Sequence, residues 1–423
     1  MTVLSAADAA PDAVAPGSLR RIPRLALLGC GNVGSAFAAL ASTGSRNPQV
    51  TIRHVLVRDA SRPRPTLPAG AALTTESRRV LDSRPDVLVE LLGGLEPART
   101  IVLDALQRGI PVVTANKSLI AAHGAELRAM AARTATPLLY EAAVIAGVPF
   151  LGSFSRRPHA LNVSGLVGIV NGTSNYVLTR ARDERCSLLV ALEQAQLLGL
   201  AEPDPGQDVD GIDAVEKLVV LLQVFGGFEL SPKTVETEGI RGITLEDIEH
   251  ARALGGTIKP VILADWSSDV TACSGPAFVP ASNVLASVDR SENALALHGP
   301  HGRIVLRGPG AGPAVTAATV MDDVHEATRR SAPVDFPALQ PVTPGPPETG
   351  WFIRLTADQL SPPIEIADLL ASHGVFVQRS HGKDGARFSA VTLPSTRGRI
   401  ESALRACRAA TGCATSCLRA LED

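Results

Sequence analysis

The feature that most constrains the fold is a glycine pattern, Gly29-x-Gly31-x-x-Gly34, between an apolar strand at 25–28 and an Ala-rich helical stretch. In this context the first glycine permits a tight turn, the second lets the backbone approach a pyrophosphate, and the third lets helix and strand pack closely. Unpaired N–H groups at the helix N-terminus favour an anionic diphosphate. A glycine-rich turn without a ligand is the alternative. The pattern predicts a dinucleotide site that includes Gly29, Gly31, Asn32, Val33 and Gly34.

The end of the next predicted strand bears on which dinucleotide is bound. Arg58 and Asp59 follow each other there, with Arg62 and Arg64 close behind. An acidic side chain at this place binds a ribose 2′-hydroxyl, whereas an arginine accommodates a 2′-phosphate. Arg58 favours NADP, although a solvated surface loop explains the same charges. NADP and NAD both stay open as the cofactor.

Alternation of strands and helices predicts the fold class. After the glycine turn, apolar strands are expected at 51–57, 86–92, 112–115 and 138–141, with helical segments between several of them. This is typical of a Rossmann-type α/β domain with a doubly wound parallel sheet. Beyond it, strands at 161–170, 261–266 and 303–306 and helices at 174–198 and 209–225 predict a second, α+β domain. A last segment reads strand, helix, strand, strand, helix, which predicts a small α+β module.

Composition shifts mark the expected boundaries, since a proline-rich stretch suits an extended linker more than a packed element. The predicted units are a disordered tail at 1–22, a dinucleotide-binding domain at 23–147 completed by 308–330, a second domain at 148–307, a linker at 331–349 and the small module at 350–423.

Charge and cysteine usage exclude several classes of protein. The 423 residues carry a net charge of −2 without a Lys/Arg-dense block, which excludes the electrostatic footprint of a nucleic-acid binder. Apolar runs stay shorter than the roughly 18–20 residues needed to span a bilayer. Six scattered cysteines make no disulfide framework, so we expect a reducing compartment, the cytoplasm, and a small-molecule partner.

Acids and lysines concentrate in two places. Asp213 and Lys217 are four residues apart and share a helix face, and Asp208 lies near the N-terminus of that helix. A surface helix with one exposed ion pair is the alternative. Lys117 follows a predicted parallel strand, at the edge where such sheets bind ligands, although a surface lysine can also stand there. Oxidation of a carbinol needs a group that takes the hydroxyl proton, and a suitably placed lysine can do so.

Several separate stretches closely resemble the homoserine dehydrogenase family, whose members interconvert L-homoserine and L-aspartate 4-semialdehyde with NAD(P). The likeness runs from about residue 25 to 324. It rests on Gly29-Cys-Gly-Asn-Val-Gly34, Glu90-Leu-Leu-Gly-Gly-Leu-Glu-Pro-Ala98, Thr114-Ala-Asn-Lys117, Asn171-Gly-Thr-Ser-Asn-Tyr176, Ala201-Glu-Pro-Asp-Pro205 with Asp208, Gly211, Asp213 and Lys217, and Gly308-Pro-Gly-Ala-Gly312 with Thr316 and Ala317.

The resemblance implies a role for each site residue. Lys117 and Lys217 become the acid/base residues, and Asp208 binds and orients the substrate beside Lys217. Glu202 and Asp213 hold the substrate's amino end. The remaining residues line the two ends of the site: Thr173 and Leu200 at the substrate, and Asn116 and Gly94 at the nicotinamide. Family members also pair through the sheet of the second domain, which implies a homodimer through 148–307.

The family also binds a monovalent cation in a loop that corresponds to 141–148. The ligands implied here are Glu141, Val144, Ala146 and Val148. Ile145 stands where the family has glycine. Because a β-branched residue resists a positive φ, we expect the loop to have another shape, which argues against the cation.

The module at 350–423 resembles an ACT domain, an amino-acid-sensing unit, but it has Ser361-Pro-Pro-Ile364 where such domains carry a Pro-Gly turn. Three functions follow for the whole chain: homoserine dehydrogenase, a related dehydrogenase of a modified γ-hydroxy amino acid, and a non-catalytic Rossmann protein that senses ligands. The presence of both lysines and the full acidic set favours the first.

Overall fold

The computed structural model describes residues 22–42, 50–64, 66–67, 70–149, 151–155, 162–329, 338–356, 366–382 and 387–422. Apart from Ile22, the predicted tail lies outside these residues, and so does the segment 361–364. The described residues form one parallel sheet, one large mixed sheet and one short two-stranded sheet.

The first domain is built on the parallel sheet. Its strands are β1 (Arg24–Leu28), β2 (Thr51–Leu56), β3 (Ala72–Thr74), β4 (Val87–Glu90), β5 (Val112–Thr114) and β6 (Leu138–Leu139), in the order β3-β2-β1-β4-β5-β6. This is the Rossmann order, so the predicted doubly wound α/β fold is confirmed. The strand order reverses between β1 and β4, which opens the ligand crevice at their carboxyl ends.

Helices cover both faces of this sheet. They are α1 (Asn32–Ser42), α2 (Ser77–Asp82), α3 (Ala98–Gln107), α4 (Lys117–Thr134) and, from much later in the chain, α11 (Pro313–Arg329). Ala317 and Val320 of α11 share an apolar cluster with Leu25 and Leu27 of β1. Burial of this apolar stripe joins 313–329 to the first domain.

The second domain places its helices against one face of the large sheet. They are α5 (Leu151–Ser155), α6 (Gly172–Glu184), α7 (Leu188–Leu197), α8 (Gly206–Val209), α9 (Ile212–Leu221) and α10 (Leu245–Ala253). The single helix predicted at 174–198 is two helices, because Arg185 adopts φ +50° and Ser187 then caps α7. The predicted helix at 209–225 begins instead at Ile212 and ends in a π-type turn, Leu222–Gly226.

The large sheet spans the second domain and the C-terminal module. Its strands in spatial order are β13 (Gly302–Pro309), β12 (Glu292–Gly299), β7 (Gly165–Ile169), β10 (Gly256–Asp265), β11 (Thr271–Pro280), β18 (Ala414–Ala420), β15 (Gly350–Thr356), β17 (Arg387–Thr392) and β16 (Val377–His381), and β9 (Glu236–Thr237) also pairs with β11. Helix α9 packs between this sheet and α4, and its Val215 and Leu218 share one core with Leu119 of α4. This packing brings the start of α4 beside the start of α9.

The C-terminal module has two further helices, α12 (Ile366–Ser372) and α13 (Arg397–Thr411). The predicted pattern omits β18, which completes the strand–helix–strand–strand–helix–strand order of ferredoxin-like units. Strand β18 also pairs in parallel with β11, with Arg419 opposite Ala277. Arg354 of β15 ion-pairs with the buried Asp247 of α10 at 2.7 Å. The likeness to ACT domains stays a prediction.

Part of the predicted linker is packed structure. Residues 330–337 lie outside the described residues, but β14 (Gln340–Pro341) pairs with β8 (Phe228–Glu229), and Gly345 forms a bridge with Thr271. Proline removes backbone donors without preventing such edge pairing. Among the helices that the structure describes, none has the length and apolarity that crossing a membrane demands.

Candidate active site

The three glycines of the turn perform three different steric tasks. Gly29 follows β1 with φ +90°, and a Cβ there would lie 2.5 Å from the Leu91 carbonyl oxygen. A Cβ at Gly34 would overlap the Gly29 carbonyl oxygen, so α1 packs closely on its own turn. A Cβ at Gly31, by contrast, would have no neighbour within 4 Å. The open side at Gly31 and the N–H groups of Asn32 and Val33 fit a pyrophosphate.

A buried network fixes the two loops that follow β4 and β5. Thr114 Oγ1 donates to Glu90 Oε2 at 2.5 Å, and the Leu92 N–H donates to Glu90 Oε1 at 2.8 Å. Asn116 donates its side-chain amide to the Gly94 carbonyl at 2.7 Å. Burial raises the pKa of Glu90 despite these hydrogen bonds. The network brings the predicted residues Asn116 and Gly94 together beside the start of α4.

Both predicted lysines converge on one carboxylate. Lys217 Nζ lies 2.9 Å from Asp213 Oδ2 and donates to the Val170 carbonyl at 2.7 Å. Lys117 Nζ lies 3.2 Å from Asp213 Oδ1 and 3.9 Å from Glu216 Oε2. The side chains of Asp213 and Lys217 are 11% and 10% exposed, and that of Lys117 is 29% exposed. The segment therefore does not form a surface helix with an exposed ion pair.

The ionisation of this trio follows from opposing effects. Burial disfavours the charge on Asp213, but Lys217 and Lys117 outweigh it and lower the pKa of Asp213. Burial also disfavours the charge on Lys117, but Asp213 and Glu216 outweigh it and raise the pKa of Lys117. Lys117 is therefore an ammonium at neutral pH in the structure as described.

Asp208 lies beside this trio on the short helix α8. Gly211, at φ +82°, turns the chain between α8 and α9, so that Asp208 and Asp213 approach the same side chain, Asn171. Asn171 donates to Asp208 Oδ1 at 2.7 Å and to Asp213 Oδ2 at 2.8 Å. Burial raises the pKa of Asp208, and the charge of Asp213 adds to this effect. Sequence reasoning assigned no role to Asn171.

The other predicted substrate residues lie at the rim of the site. Thr173 Oγ1 donates to the Leu200 carbonyl at 2.9 Å, which fastens the loop after α7 to the N-terminus of α6. Leu200 and Glu202 are both exposed. Gln196 donates to the backbone carbonyl of Glu202 at 3.0 Å. This hydrogen bond does not involve the carboxylate of Glu202, which belongs to an exposed residue.

In the loop after β2, the two residues predicted to recognise the ribose, Arg58 and Asp59, have different surroundings. The Asp59 carboxylate accepts the Ser61 N–H at 2.9 Å and the Ser61 hydroxyl at 2.6 Å. These hydrogen bonds lower the pKa of Asp59. Arg58, Arg62 and their neighbour Arg64 are exposed or partly exposed. One oxygen of the Asp59 carboxylate, Oδ1, is thus held by its own chain, and the residue stays exposed.

The loop at 141–148 differs from the expectation. Ile145 adopts φ +48°, so the expectation that its β-branched side chain would keep the backbone out of a positive φ is wrong. The N–H groups of Ala146 and Gly147 donate to Gly310 and Pro309, both at 3.1 Å, and the Val148 N–H donates to the Ile145 carbonyl at 2.9 Å. These hydrogen bonds and the burial of Ile145 outweigh a backbone strain of order 1–3 kcal/mol.

Two of the four implied cation ligands already have protein partners. The Glu141 carboxylate accepts the N–H groups of Leu151 and Gly152 at 2.8 and 2.6 Å. The Ala146 carbonyl accepts the Thr319 hydroxyl. Within the described part of the chain, no group of three His, Cys, Asp or Glu is placed to hold a metal ion.

The glycine turn, the loops after β4 and β5, the loop at 141–148 and the start of α9 meet at one cleft of about 320 Å³. The predicted residues Asp208, Thr173, Leu200, Glu202 and Arg58 lie outside its lining. Its lining from the first domain includes Val33 of the glycine turn and the loops after β4 and β5 with Lys117. Its lining from the second domain includes Asp213 and Lys217. A Rossmann crevice that begins at a glycine turn is the arrangement of a dinucleotide-dependent enzyme, and the lysines at its edge are groups of the kind that can exchange a proton with a substrate.

Comparison with known proteins agrees with this class. Residues 149–325 match the family model described as homoserine dehydrogenase, and residues 29–141 match the one described as homoserine dehydrogenase, NAD binding domain. A homoserine dehydrogenase of Lactococcus lactis is 36% identical over 317 residues, which cover 72% of this chain and 74% of that protein.

Solved structures extend the likeness to 95% of the chain. The crystal structure of a homoserine dehydrogenase from Thiobacillus denitrificans superposes with a TM-score of 0.84 and 29% identity, over 95% of this chain and 99% of that one. A hyperthermophilic archaeal homoserine dehydrogenase in complex with NADPH gives a TM-score of 0.63 and 25% identity, over 76% of this chain and 100% of that one. The chain belongs to the homoserine dehydrogenase family and is an NAD(P)-dependent oxidoreductase. The two alternative functions are not favoured.

Proposed function

We propose that the chain interconverts L-homoserine and L-aspartate 4-semialdehyde in the cleft between its first two domains. The observation that carries this proposal is the lining of that cleft, which joins Val33 of the glycine turn to Lys117, Asp213 and Lys217. When bound, the nicotinamide accepts a hydride from the carbinol carbon of homoserine or returns it to the aldehyde carbon.

The lysines supply the proton transfer that accompanies the hydride. In the direction of oxidation, the hydroxyl proton leaves to a neutral lysine amine as the carbonyl double bond forms. In the direction of reduction, an ammonium returns the proton to the carbonyl oxygen. Because Asp213 and Glu216 raise the pKa of Lys117, Lys117 is already in the form that reduction needs. Lys217, fastened to Val170 and Asp213, adds fixed positive charge beside the developing alkoxide.

The carboxylates divide between the lysines and the substrate. Both oxygens of Asp213 are engaged by Lys117, Lys217 and Asn171, so we give Asp213 the role of charge partner to the lysines. The ammonium end of the substrate then falls to Asp208 and to the exposed Glu202 at the rim. The family resemblance implied Glu202 and Asp213 for this end of the substrate, so the proposal replaces Asp213 by Asp208.

The test is a spectrophotometric panel of homoserine, substituted γ-hydroxy amino acids and plain alcohols, each with NAD and NADP. Production of reduced nicotinamide is expected with homoserine above all other substrates. Equal rates with a substituted analogue would replace homoserine as the substrate. Retained nucleotide binding without turnover of any substrate would contradict an enzymatic function.

NADP is the cofactor that the proposal favours. Ser61 holds one oxygen of the Asp59 carboxylate, whereas Arg58 is exposed, with Arg62 and Arg64 behind it, where it can meet a 2′-phosphate. The archaeal relative in complex with NADPH supports the same choice for this chain. Arg58→Ala should raise the KM for NADP and not that for NAD. Arg53→Ala, an exposed arginine within β2, is the matched control, and equal effects of both variants would argue against recognition by Arg58.

A monovalent cation in the loop at 141–148 remains part of the proposal. Asp323 is buried beside Glu141, and burial together with the Glu141 charge raises the pKa of Asp323 well above its usual range. The Asp323 carboxyl also accepts the Glu141 N–H at 3.0 Å, so a cation bound by Glu141 would favour the ionised form of this neighbouring carboxyl group. Titration of K⁺ and Na⁺ into a choline-buffered assay should raise kcat, and an unchanged rate would remove the cation.

The proposed homodimer uses the outer strand of the large sheet. Strand β13 pairs with β12 on one side, and its Ile304 and Val305 are 38% and 36% exposed. Light scattering should therefore give a dimer that Ile304→Lys converts to a monomer. Leu189→Lys, on the exposed face of α7, serves as the control and should leave the dimer intact.

A further inference from the structure

Asn171 joins two carboxylates that carry like charge. Its amide nitrogen donates to Asp208 Oδ1 at 2.7 Å and to Asp213 Oδ2 at 2.8 Å. Its amide oxygen accepts the Ser174 N–H at 2.8 Å and so caps the N-terminus of α6. The orientation of the amide is fixed on both sides, because a carboxylate offers no proton to an amide oxygen and a backbone N–H needs an acceptor.

The two carboxylates differ in every other contact. Asp213 is paired with Lys117 and Lys217, whereas no lysine or arginine among the described residues lies within ion-pair distance of Asp208. Asp208 is instead held by uncharged groups of α6. The Ser174 hydroxyl donates to its backbone carbonyl at 2.9 Å, and Asn171 donates to its carboxylate. Asn171 itself is buried, with 4% of its surface exposed.

We propose that Asn171 is a positioning residue, whose single amide group fixes Asp208 to Asp213 and thereby sets the substrate-facing carboxylate in register with both lysines. This inference rests on the proposed function and adds a residue that acts through the carboxylates. The connection is direct, since Asp208 lies on α8, Asp213 lies on α9, and Gly211 allows the chain to turn between them. Without the shared amide, the buried Asp213 and the half-buried Asp208 would face each other without the donor that now joins them.

Loss of the Asn171 amide should also change the pH profile of turnover. Asp208 faces Asp213 and Lys217 from α9, and the charge of Asp208 also acts on Lys117 at the start of α4. Helix α6 presents only the uncharged groups of Asn171, Thr173 and Ser174 to Asp208 among its described contacts. The Asn171 hydrogen bond favours the ionised form of Asp208, so its loss raises the pKa of this carboxyl further. The acid limb of kcat/KM for homoserine then moves to higher pH.

Two variants separate positioning from folding. Asn171→Asp keeps the size of the side chain and its capping oxygen but replaces the donors by a third carboxyl group. Asn171→Ser keeps the cap and cannot reach both carboxylates, because a hydroxyl carries one proton. In both variants kcat/KM should fall by roughly 100-fold, from the strength of hydrogen bonds to charged groups, and the acid limb should move to higher pH. The Kd for NADP should stay unchanged.

Asn175→Ser is the matched control on the same helix. Asn175 is fully buried and donates to the carbonyls of Val288 and Glu292, away from the cleft. The control should lower Tm without moving the pH profile. A wild-type pH profile in Asn171→Ser, with activity lost only in proportion to Tm, would overturn the inference, and so would wild-type kcat/KM in Asn171→Asp. Failure of the proposed function is distinguishable, because the wild-type enzyme would then show no turnover of homoserine at any pH.

Discussion

Replacing Asp213 by asparagine tests how the trio of Asp213, Lys117 and Lys217 works. The substitution keeps the size of the side chain and removes a charge that lies 2.9 and 3.2 Å from two ammonium groups. An amide oxygen can accept from one lysine, but the amide N–H groups then point toward the other. Lys217 is the costlier partner to leave unpaired, since its side chain is 10% exposed and that of Lys117 is 29% exposed.

The expected loss of stability follows from the burial of the trio. Removing one partner of a buried ion pair destabilises by about 3–5 kcal/mol, and the more exposed Lys117 adds little to this. Because the pKa of Asp213 is lowered in the fold, its contribution is present above the unfolded carboxyl pKa and is lost as pH falls through the folded pKa. Because the pKa of Lys117 is raised in the fold, the contribution of the Lys117–Asp213 pair is present below the unfolded lysine pKa and is lost as pH rises through the folded pKa of Lys117.

Urea unfolding of Asp213→Asn and wild type measures this difference at neutral pH and at a pH well below the ordinary carboxyl pKa of 3.8. Steady-state kinetics measure the effect on the site. The deficit in unfolding free energy should shrink toward acid pH. Turnover should fall by about 100-fold or more, because the ammonium groups lose their alignment. The rise of kcat with pH in homoserine oxidation should move to lower pH, because Lys117 loses the neighbouring charge that raises its pKa.

The chain offers a matched control outside the cleft. Asp289 likewise lies between two cations, at 2.7 Å from Lys259 and 3.0 Å from Arg182, and Lys259 likewise donates to a carbonyl, that of Val288. Asp289→Asn should lower stability by a similar or smaller amount, since Asp289 is 39% exposed, and should leave the pH profile of turnover unchanged. Equal kinetic effects of the two variants, or wild-type turnover in Asp213→Asn, would refute the reasoning.

Three further outcomes are expected. Gly34→Ala should weaken NADP binding by roughly tenfold or more, measured by fluorescence titration, because its Cβ overlaps the Gly29 carbonyl; Gly398→Ala, with open space around it, should not. In wild type, kcat for homoserine oxidation should rise with pH while kcat for aldehyde reduction falls at alkaline pH, since the raised pKa of Lys117 favours the ammonium; parallel profiles in both directions would contradict this. Arg354→Met should lower the unfolding free energy by about 3–5 kcal/mol in urea titrations, because it leaves Asp247 buried and unpaired, whereas the exposed Arg185→Met should cost about 0–1 kcal/mol.

The glycine turn was predictable because all of its signals lie close together in the sequence. The strand β1, the three glycines and α1 follow one another within twenty residues, and each glycine has a steric reason that its spacing already indicates. The pair Asp213 and Lys217 was predictable for the same reason, because residues four apart on a helix meet.

Contacts distant in sequence were not predictable from spacing. Lys117 reaches Asp213 because α4 packs on α9, and Asn171 reaches both carboxylates because α6 begins beside α8. Strand β18 has no clear apolar alternation and is a strand because β11 and β15 lie on either side of it. The backbone of Ile145 was not predictable for the same reason, since hydrogen bonds of neighbouring residues hold it at a positive φ that its side chain disfavours.

If homoserine is oxidised in the cleft that Lys117 and Lys217 line, removing both lysines should stop turnover and leave dinucleotide binding intact. The most direct measurement follows reduced nicotinamide formation from L-homoserine by wild type and by the double variant Lys117→Met and Lys217→Met, with NADP affinity determined for both. Wild type is predicted to turn over, and the double variant to bind NADP without turnover. Turnover by the double variant at the wild-type rate would contradict the claim.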